Sequence, residues 1–535
     1  MSLNLDTEKN DPDTTISRYE SETNPSTSDP HDDLPLKEAL QQYSRYVYYI
    51  LGLATVIILW GYDLVVVGSI TAVDPFLHDF GVFDKIEDGE EKWIIPAMWL
   101  SLWMAFPCVG QLVGAVTAGR LQDKIGRKLC LLIASVITAF SVLIEVLAYK
   151  APSVNGRRGV FLAGKIIQGY ALALIKMVTL TFVSETAPTC LRGAAMAIFP
   201  AFNLLGQLLG ALVIFGVNHI KNETGYLIAF GVQWAFSIAP FGMAFILPES
   251  PAYLVRKKKM DAAHESLSRL FGPKNDVDTI LRKLRISIEE EERVASSITY
   301  TQCFRGTNRR RSFIIIFANF LPPLFGLPLV SSASYFLQQI GMSSTYSLLM
   351  LIIGIIVGTI ANLGSTWTLS HLSRRHLTIY TLLAAAAIWA AMGIAGCFPS
   401  HSLTPWLTTA FLMLIITVCG LGVWPTSYAI MSEASALRLR APSQAIGGIA
   451  AYIAAIFTNF VLPYLYNPDA ADLKAKTGFV FTGCCVVAAV ATWIVVPEMK
   501  GRSVGEIDRL FEEGVRARGS GKWKSGLRGE EGATV

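Results

Sequence analysis

The sequence has too few charged residues for a soluble protein. Asp, Glu, Lys and Arg make up 16% of its 535 residues, whereas a typical soluble domain has about 25%. Apolar residues make up 52%. Because a soluble domain needs a charged surface, this balance excludes soluble proteins. It also excludes disordered, collagen-like and disulfide-rich secreted chains. A polytopic membrane protein is therefore predicted.

The sequence also lacks the motifs of common catalytic and metal centres. Its eight cysteines show no CxxC or Cys/His spacing, and its seven histidines are scattered along the chain. Neither a Ser/His/Asp set nor a phosphate-binding glycine loop is present. We therefore expect no enzymatic activity, no cofactor and no metal site.

Long apolar stretches dominate what is present. About 20 helical residues cross a hydrocarbon core of about 30 Å. Twelve stretches reach that length, and they predict an all-α polytopic fold. The predicted spans are 46–70, 94–118, 129–149, 159–182, 194–217, 225–247, 312–337, 345–368, 377–397, 405–430, 443–466 and 478–497.

The charges between the spans predict how the chain is oriented. Segments 119–128 and 248–311 are basic, whereas segment 71–93 on the opposite side is acidic. Because short basic loops stay in the cytoplasm, both termini are expected there. The predicted parts are a disordered tail at 1–45, a six-helix bundle at 46–247, a cytoplasmic linker at 248–311, a second bundle at 312–497 and a cytoplasmic tail at 498–535. Within the linker, 259–270 and 276–294 have helical spacing.

Charged motifs recur at equivalent ends of the two halves. Glu185 and Arg192 follow span 4, and Glu433 and Arg440 follow span 10 with the same separation. Carboxylates and arginines at these ends are expected to form a gate that closes in one state and separates in another. The predicted gate residues are Arg120, Asp123, Arg127, Glu185, Arg192, Glu249, Arg374, Glu433, Arg440 and Glu498.

These motifs closely resemble the sugar porter family of the major facilitator superfamily. The resemblance rests on the runs 119–128, 184–193, 248–251 and 497–510. The acidic N-terminus, the shortened motif at 370–375 and the run 335–342 look most like the fungal α-glucoside (maltose-type) permeases. The resemblance implies the major facilitator fold, with two halves that rock around a central site.

Asp63 in span 1 is the first candidate for proton coupling. The resemblance implies this role, since proton-coupled sugar porters carry an Asp that takes up the coupling proton at this position. A carboxyl group in an apolar setting can bind and release a proton near neutral pH. The family's partner is an Arg in span 4, and here Lys165 occupies that position. A structural pair that never titrates is the alternative.

Lys176 is a second lysine in span 4, eleven residues after Lys165. Eleven residues are close to three helical turns, so the two lysines share a face about 16 Å apart. We predict that Lys176 faces the central cavity and contacts an anionic or carbonyl-bearing group. The alternative is that its amine reaches the inner membrane interface. Glu145, near the outer end of span 3, is assigned a structural role.

A sugar site needs hydrogen-bonding groups and an aromatic face. The predicted substrate-binding residues are Asn203, Gln207, Lys176, Tyr335, Trp424, Tyr428, Tyr452 and Asn459. Gln207 matches a family sugar-binding glutamine. However, Pro322, Pro323 and Pro328 replace amides that many sugar porters carry in span 7. Losing them favours a less hydroxylated solute.

Prolines and glycines predict two further features of the helices. Pro322, Pro323 and Pro328 are expected to interrupt span 7, and Pro425 is expected to kink span 10. The pairs Gly110/Gly114 and Gly206/Gly210 have the four-residue spacing that is typical of close helix packing.

The predicted function is secondary transport of a small organic solute, a sugar or glycoside first, with proton symport. A facilitator or exporter of a less polar metabolite is an alternative, and a nutrient sensor is an alternative of another class. The expected partners are the solute, protons and the lipid bilayer, with no nucleic acid. We expect a functional monomer in the plasma membrane.

Overall fold

The computed structural model describes residues 36–521 and 523, apart from 88–89, 273–274, 296–298, 399–402 and 437–438. The described chain is almost entirely helical, and eleven of its helices are long and apolar enough to cross a membrane. The twelfth predicted span, span 7, is present in three shorter pieces. The all-α polytopic fold predicted from the sequence is confirmed.

Each half contains six spans. In the N-terminal half they are Ser44–Ser69, Ala97–Ile125, Arg127–Leu147, Val154–Thr186, Thr189–Val217 and Thr224–Ile246. In the C-terminal half they are Asn308–Leu324 with Leu327–Ser331 and Ala333–Gln339, then Ser344–His371, Arg374–Ala395, Thr404–Leu421 with Val423–Ala434, Arg440–Tyr466 and Thr477–Val495. We number them spans 1 to 12. The end with the basic loops is called the cytoplasmic end, after the charge rule, and the opposite end is called the outer end.

Spans 7 and 10 are broken, as their prolines predict. The first piece of span 7 stops at Leu324, and Gly326 follows with a φ of 95°. A proline removes a ladder hydrogen bond, and only glycine adopts positive φ freely. Span 10 breaks at Gly422, where an added Cβ would lie 2.0 Å from the Cγ2 of Thr381.

Glycines bring neighbouring helices into backbone contact. A Cβ at Gly110 would lie 2.2 Å from the carbonyl oxygen of Ile166, and one at Gly114 would lie 2.6 Å from that of Tyr170. Between spans 1 and 5, a Cβ at Gly206 would lie 2.3 Å from the carbonyl oxygen of Ile58. Close packing at both glycine pairs is confirmed.

The N-terminal segment differs from its prediction. Its composition predicts a disordered tail at 1–45, but residues 36–45 are helical or turn. Ala39 and Tyr43 are buried, and the Tyr43 ring meets Phe271 of the linker edge to face at 5.6 Å. Gln42 Nε2 donates to Asn275 Oδ1 at 3.1 Å. The segment is ordered because linker residues cover its apolar side, and residues 1–35 lie outside the described residues.

Short helices lie at the cytoplasmic end. In the linker these are Pro251–Arg256, Met260–Phe271 and Val277–Ala295, and the last two coincide with the stretches of helical spacing. After span 12, the helix Val504–Glu512 begins with a capping box between Ser503 and Glu506. An ion pair of 2.5 Å between Arg311 and Asp508 holds this helix against span 7.

The acidic outer segment folds into regular structure. It forms the helix Asp74–Phe80 and an antiparallel hairpin of Val82–Glu87 and Glu90–Ile94. Arg158 at the start of span 4 donates to the carbonyl oxygens of Phe80 at 2.6 Å and Gly81 at 2.9 Å. These bonds fix the outer segment to the N-terminal half.

Candidate transport site

A cluster of three buried charges lies between spans 1, 3 and 4. The ammonium of Lys165 lies 2.8 Å from Asp63 Oδ1 and 2.9 Å from Glu145 Oε2. It also donates to Gln168 Oε1 at 2.8 Å. Lys165 and Glu145 have no more than 1% of their surface exposed and Asp63 has 4%. We call Asp63, Glu145 and Lys165 the charge cluster.

The helices around the charge cluster supply few other polar partners. Gly164 permits the approach of span 3, since a Cβ there would lie 2.7 Å from Glu145 Cγ. Gln168 Nε2 donates to Gln233 Oε1 of span 6. Glu145 Oε1 is buried without a hydrogen-bond partner in the described structure. Two carboxylates therefore share one ammonium in a nearly dry site.

A second group of polar side chains lies one turn away on span 1. The Lys176 ammonium lies 4.2 Å from the centre of the Trp60 ring. A Cβ on the next residue, Gly61, would lie 3.1 Å from Asn203 Oδ1. This amide oxygen is buried and has no hydrogen-bond partner among the described residues. Side chains of spans 4 and 5 thus meet span 1 at residues 60 and 61. We call Lys176, Trp60 and Asn203 the lysine site.

Span 11 contributes polar groups where it packs against span 2 of the other half. Asn459 Nδ2 lies 3.6 Å from Cys108 Sγ, a contact that joins the two halves in the middle of the bundle. Tyr452 and Gln207 are partly buried. These side chains lie in the interior, at the contact between the halves or beside the lysine site.

Hydrogen bonds close the outer end between the two halves. The N–H group of Ala97 donates to Asp469 Oδ2 at 2.8 Å, and Asn467 Nδ2 donates to the carbonyl oxygen of Ile95 at 2.7 Å. Ser344 Oγ donates to Asn218 Oδ1 at 2.7 Å. The outer ends of the halves are therefore held together in this conformation.

At the cytoplasmic end, each half carries its own ion-pair network. In the N-terminal half, Arg127 donates from Nη2 and Nε to the two oxygens of Glu185 at 2.6 and 3.0 Å. Glu249 Oε1 accepts the backbone N–H of Arg127 at 2.7 Å. A carboxylate at the first N–H groups of a helix satisfies donors that have no partner within that helix. Asp123 adds a contact of 3.3 Å to Arg127.

The C-terminal half repeats this arrangement. Arg374 Nε donates to Glu433 Oε1 at 3.1 Å. Glu498 accepts the backbone N–H groups of Arg374 at 3.1 Å and Arg375 at 3.2 Å. The two networks thus use the same residue types at equivalent helix ends, which is the repeat that the motif spacing predicts.

The comparison with protein families identifies the chain. The model for "Sugar (and other) transporter" matches residues 50–511. The chain belongs to the sugar (and other) transporter family. The MFS transporter fmqE of Aspergillus fumigatus is 30% identical over 480 residues, which cover 88% of this chain and 87% of that protein. The maltose permease MAL61 of Saccharomyces cerevisiae is 27% identical, with coverage of 92% and 79%.

Solved structures show the same fold. The inward-open xylose transporter XylE of E. coli gives a TM-score of 0.69 at 18% identity and covers 87% of this chain and 99% of that chain. This likeness concerns the fold alone. The relatives in the transporter family are transporters and permeases rather than enzymes, and this protein is accordingly an integral, multi-pass membrane transporter.

Within this family member, the structure extends the predicted proton-coupling pair. Asp63 and Lys165 lie in contact, and Glu145, to which the sequence assigns a structural role, is the third member of the cluster. Glu145 lies 20 positions before Lys165, on another helix. Its one sequence signal is an ionisable residue inside a predicted span.

Three predicted substrate-binding residues lie away from the lysine site. Tyr335 is fully buried at the outer contact, where its hydroxyl donates to Asn467 Oδ1 at 3.1 Å and accepts the N–H of Ile95 at 3.3 Å. Tyr428 is 57% exposed, and Trp424 packs against the apolar core. In this conformation Tyr335 belongs to the outer closure, because the halves meet there.

Three of the predicted gate residues stand apart from both ion-pair networks in the described part of the chain. Arg120, Arg192 and Arg440 are exposed at the cytoplasmic end, with no hydrogen bond or ion pair to another described residue. The two ion-pair networks likewise make no polar contact with each other across the described chain. The cytoplasmic ends of the halves are therefore not joined as the outer ends are.

The outer closure leads to a testable prediction. Asn467→Ala removes the donor to Ile95 and the acceptor for Tyr335, so it should favour separation of the outer ends. Losing a buried hydrogen-bonding group costs about 1–3 kcal/mol. We expect amide hydrogen exchange at Ile95 and Ala97 to accelerate about tenfold or more. Asn222→Ala, at an exposed asparagine of the same end, should leave exchange unchanged, and equal exchange in both variants would contradict the assignment.

Proposed function

We propose that this transporter is a proton-coupled symporter in which the charge cluster carries the proton. The observation that supports this best is the count of charges: Asp63 and Glu145 are buried against a single ammonium, that of Lys165. The transported solute is a small organic molecule of the sugar or glycoside class. We infer that the protein acts as a monomer in the plasma membrane.

The count of charges gives the cluster a reason to bind a proton. With both carboxylates ionised, the cluster carries one excess negative charge, and burying an unpaired charge costs several kcal/mol. Binding one proton to either Asp63 or Glu145 removes that excess. When the same cluster is in contact with water, the excess negative charge costs less, and the proton is bound less tightly. A change in access to water from one side to the other is therefore sufficient to load and release it.

Span 1 connects the charge cluster to the solute. Trp60 and Asp63 are three residues apart and so lie on neighbouring positions of one helix face. Trp60 contacts the lysine site, and Asp63 contacts Lys165. A solute that moves span 1 at Trp60 therefore also changes the surroundings of Asp63, which is the link that symport requires.

The cytoplasmic networks support the rocking of two rigid halves. Glu185 of span 4 and Glu249, just after span 6, both bind the start of span 3. Glu433 of span 10 and Glu498, just after span 12, bind the start of span 9 in the same way. Arg120, Arg192 and Arg440 are free to form cross-half pairs when the cytoplasmic ends meet. We propose that such pairs close the inner gate.

The test is proton-driven uptake in proteoliposomes of the solute that is identified beforehand from a panel of neutral and acidic sugars and glycosides in a transporter-deficient host. The wild type should accumulate solute when the outside is acidic and should alkalinise the medium. Asp63→Asn should reduce the accumulation ratio to about one, because the cluster becomes neutral without a proton, yet leave solute exchange intact. Asp261→Asn alters an exposed carboxylate of the linker helix Met260–Phe271 and serves as the matched control.

Retained accumulation in Asp63→Asn would reject proton coupling through this cluster. Uptake by the wild type without alkalinisation would instead support a facilitator. That second function, movement of a less polar metabolite, is favoured by Pro322 and Pro323, which stand inside span 7 where related porters carry amides.

A further inference from the structure

Lys176 is a cation inside the bilayer that has no anionic partner among the described residues. Its ammonium contacts the face of Trp60 at 4.2 Å, and it has no hydrogen bond or ion pair with any described residue. Lys165, on the same helix, has two carboxylates around it. An ionisable side chain in the membrane interior is costly and is functional by default.

The helices that pack around span 4 determine which side of the Lys176 side chain is exposed. Span 2 packs against span 4 through Gly110 and Gly114, and span 3 packs against it beside Gly164. Lys176 lies instead on the side that faces Trp60 of span 1. Its side chain is partly exposed, and spans 2 and 3 cover the other faces. From this arrangement we infer that the exposed part faces the interior of the bundle, on the side of span 1.

The distance to the cytoplasmic end argues against a lysine that reaches the membrane interface. Lys176 precedes Glu185 by nine residues, which is about 13 Å along a helix. A lysine side chain extends about 6 Å, so its ammonium does not reach the network around Glu185. The stacking on Trp60 also holds the ammonium beside span 1. Such stacking holds the ammonium against the ring but leaves its positive charge uncompensated.

We propose that the transported solute carries a carboxylate and that Lys176 binds it. The inference deepens the proposed transport function and rests on it. Trp60 offers a flat apolar surface to the body of the solute. The side chain of Asn203 has a buried oxygen without a partner in the described chain, and it accepts a hydroxyl or N–H group of the solute. The substrate class is an organic monocarboxylate, such as an acidic sugar or glycoside.

A carboxylate also accounts for the shortage of amides in the site. Span 7 has Pro322, Pro323 and Pro328, which offer no side-chain group that could bind a neutral hydroxyl group. A charge-assisted hydrogen bond is about twice as strong as a neutral one. One ammonium can therefore replace several weaker contacts, and a neutral analogue would leave it buried and unpaired.

The test measures binding to the purified protein in nanodiscs by thermal stabilisation, without a proton gradient. The probes are two matched pairs: p-nitrophenyl β-glucuronide against p-nitrophenyl β-glucoside, and gluconate against glucose. The wild type should bind at least one acid about tenfold or more tightly than its neutral partner. Lys176→Gln should lose this preference, and Lys176→Arg should keep it. Lys257→Gln removes a lysine stacked on Tyr253 outside the bundle and should change nothing.

The inference is overturned if neither acid binds better than its neutral partner, or if Lys176→Gln retains the preference. Because binding is measured without a gradient, Asp63→Asn separates the two proposals. Loss of accumulation in Asp63→Asn together with unchanged binding in Lys176→Gln rejects the carboxylate but not symport. Carboxylate-selective binding with full accumulation in Asp63→Asn rejects proton coupling alone.

Discussion

Lys165→Met is expected to destabilise the protein more than any other substitution in the charge cluster. It leaves the carboxylates of Asp63 and Glu145 buried together without a counter-ion, and removing one partner of a buried pair costs about 3–5 kcal/mol. We expect a clear fall in melting temperature in nanodiscs and complete loss of solute uptake. The measurements are thermal unfolding followed by intrinsic fluorescence, and uptake in proteoliposomes.

A charge-balanced variant serves as the control for Lys165→Met. Combining it with Asp63→Asn and Glu145→Gln removes all three charges and keeps the side-chain volumes nearly unchanged. This triple variant should recover most of the melting temperature, because neutral amides are less costly to bury than unpaired ions. It should not recover proton-driven accumulation. If Lys165→Met had the same melting temperature as the wild type, the three charges of the cluster would not stabilise one another.

Gly61→Ala is expected to have the second-largest effect, on packing rather than on charge. The new Cβ would lie 2.0 Å from the backbone carbonyl oxygen of Asn203. Neither atom can rotate away, so spans 1 and 5 must separate. Overpacking of this kind costs about 3 kcal/mol. The melting temperature should fall, and binding at the lysine site should weaken, because Trp60 is the adjacent residue.

Gly216→Ala provides the matched control within span 5. No atom lies within 4 Å of the position where its Cβ would stand. Alanine also favours a helix interior over glycine by about 1 kcal/mol. The control should therefore melt at or slightly above the wild-type temperature. Equal melting temperatures for Gly61→Ala and Gly216→Ala would contradict the close contact between the two spans.

The sequence predicts the broad arrangement well for physical reasons. Twelve spans follow from stretch length, because the thickness of a bilayer sets a minimum for every crossing helix. The break in span 7 follows from Pro322 and Pro323. Because proline has no backbone N–H group, it removes a hydrogen bond within its own helix, and this effect does not depend on other helices. The repeat of Arg127 with Glu185 and of Arg374 with Glu433 follows from equal spacing at equivalent helix ends.

The remaining contacts depend on how helices rotate against one another. Whether Glu145 meets Lys165 is decided by the packing at Gly164, which hydrophobic periodicity does not encode. The position of Tyr335 depends on which end of the protein is closed. The order of residues 36–45 depends on Phe271, more than 200 positions further along the chain.

The N-terminal ion-pair network has a consequence for biosynthesis. Arg127, Glu185 and Glu249 all precede span 7 by more than 50 residues, so every partner in this network is synthesised well before the first residue of span 7. The first half can thus satisfy its own buried charges at the membrane while the second half is still being synthesised. The second network likewise draws on Arg374, Glu433 and Glu498 of the later half alone. Each half can therefore form its own ion-pair network without the other half. The network of the first half can form earlier because that half is translated first.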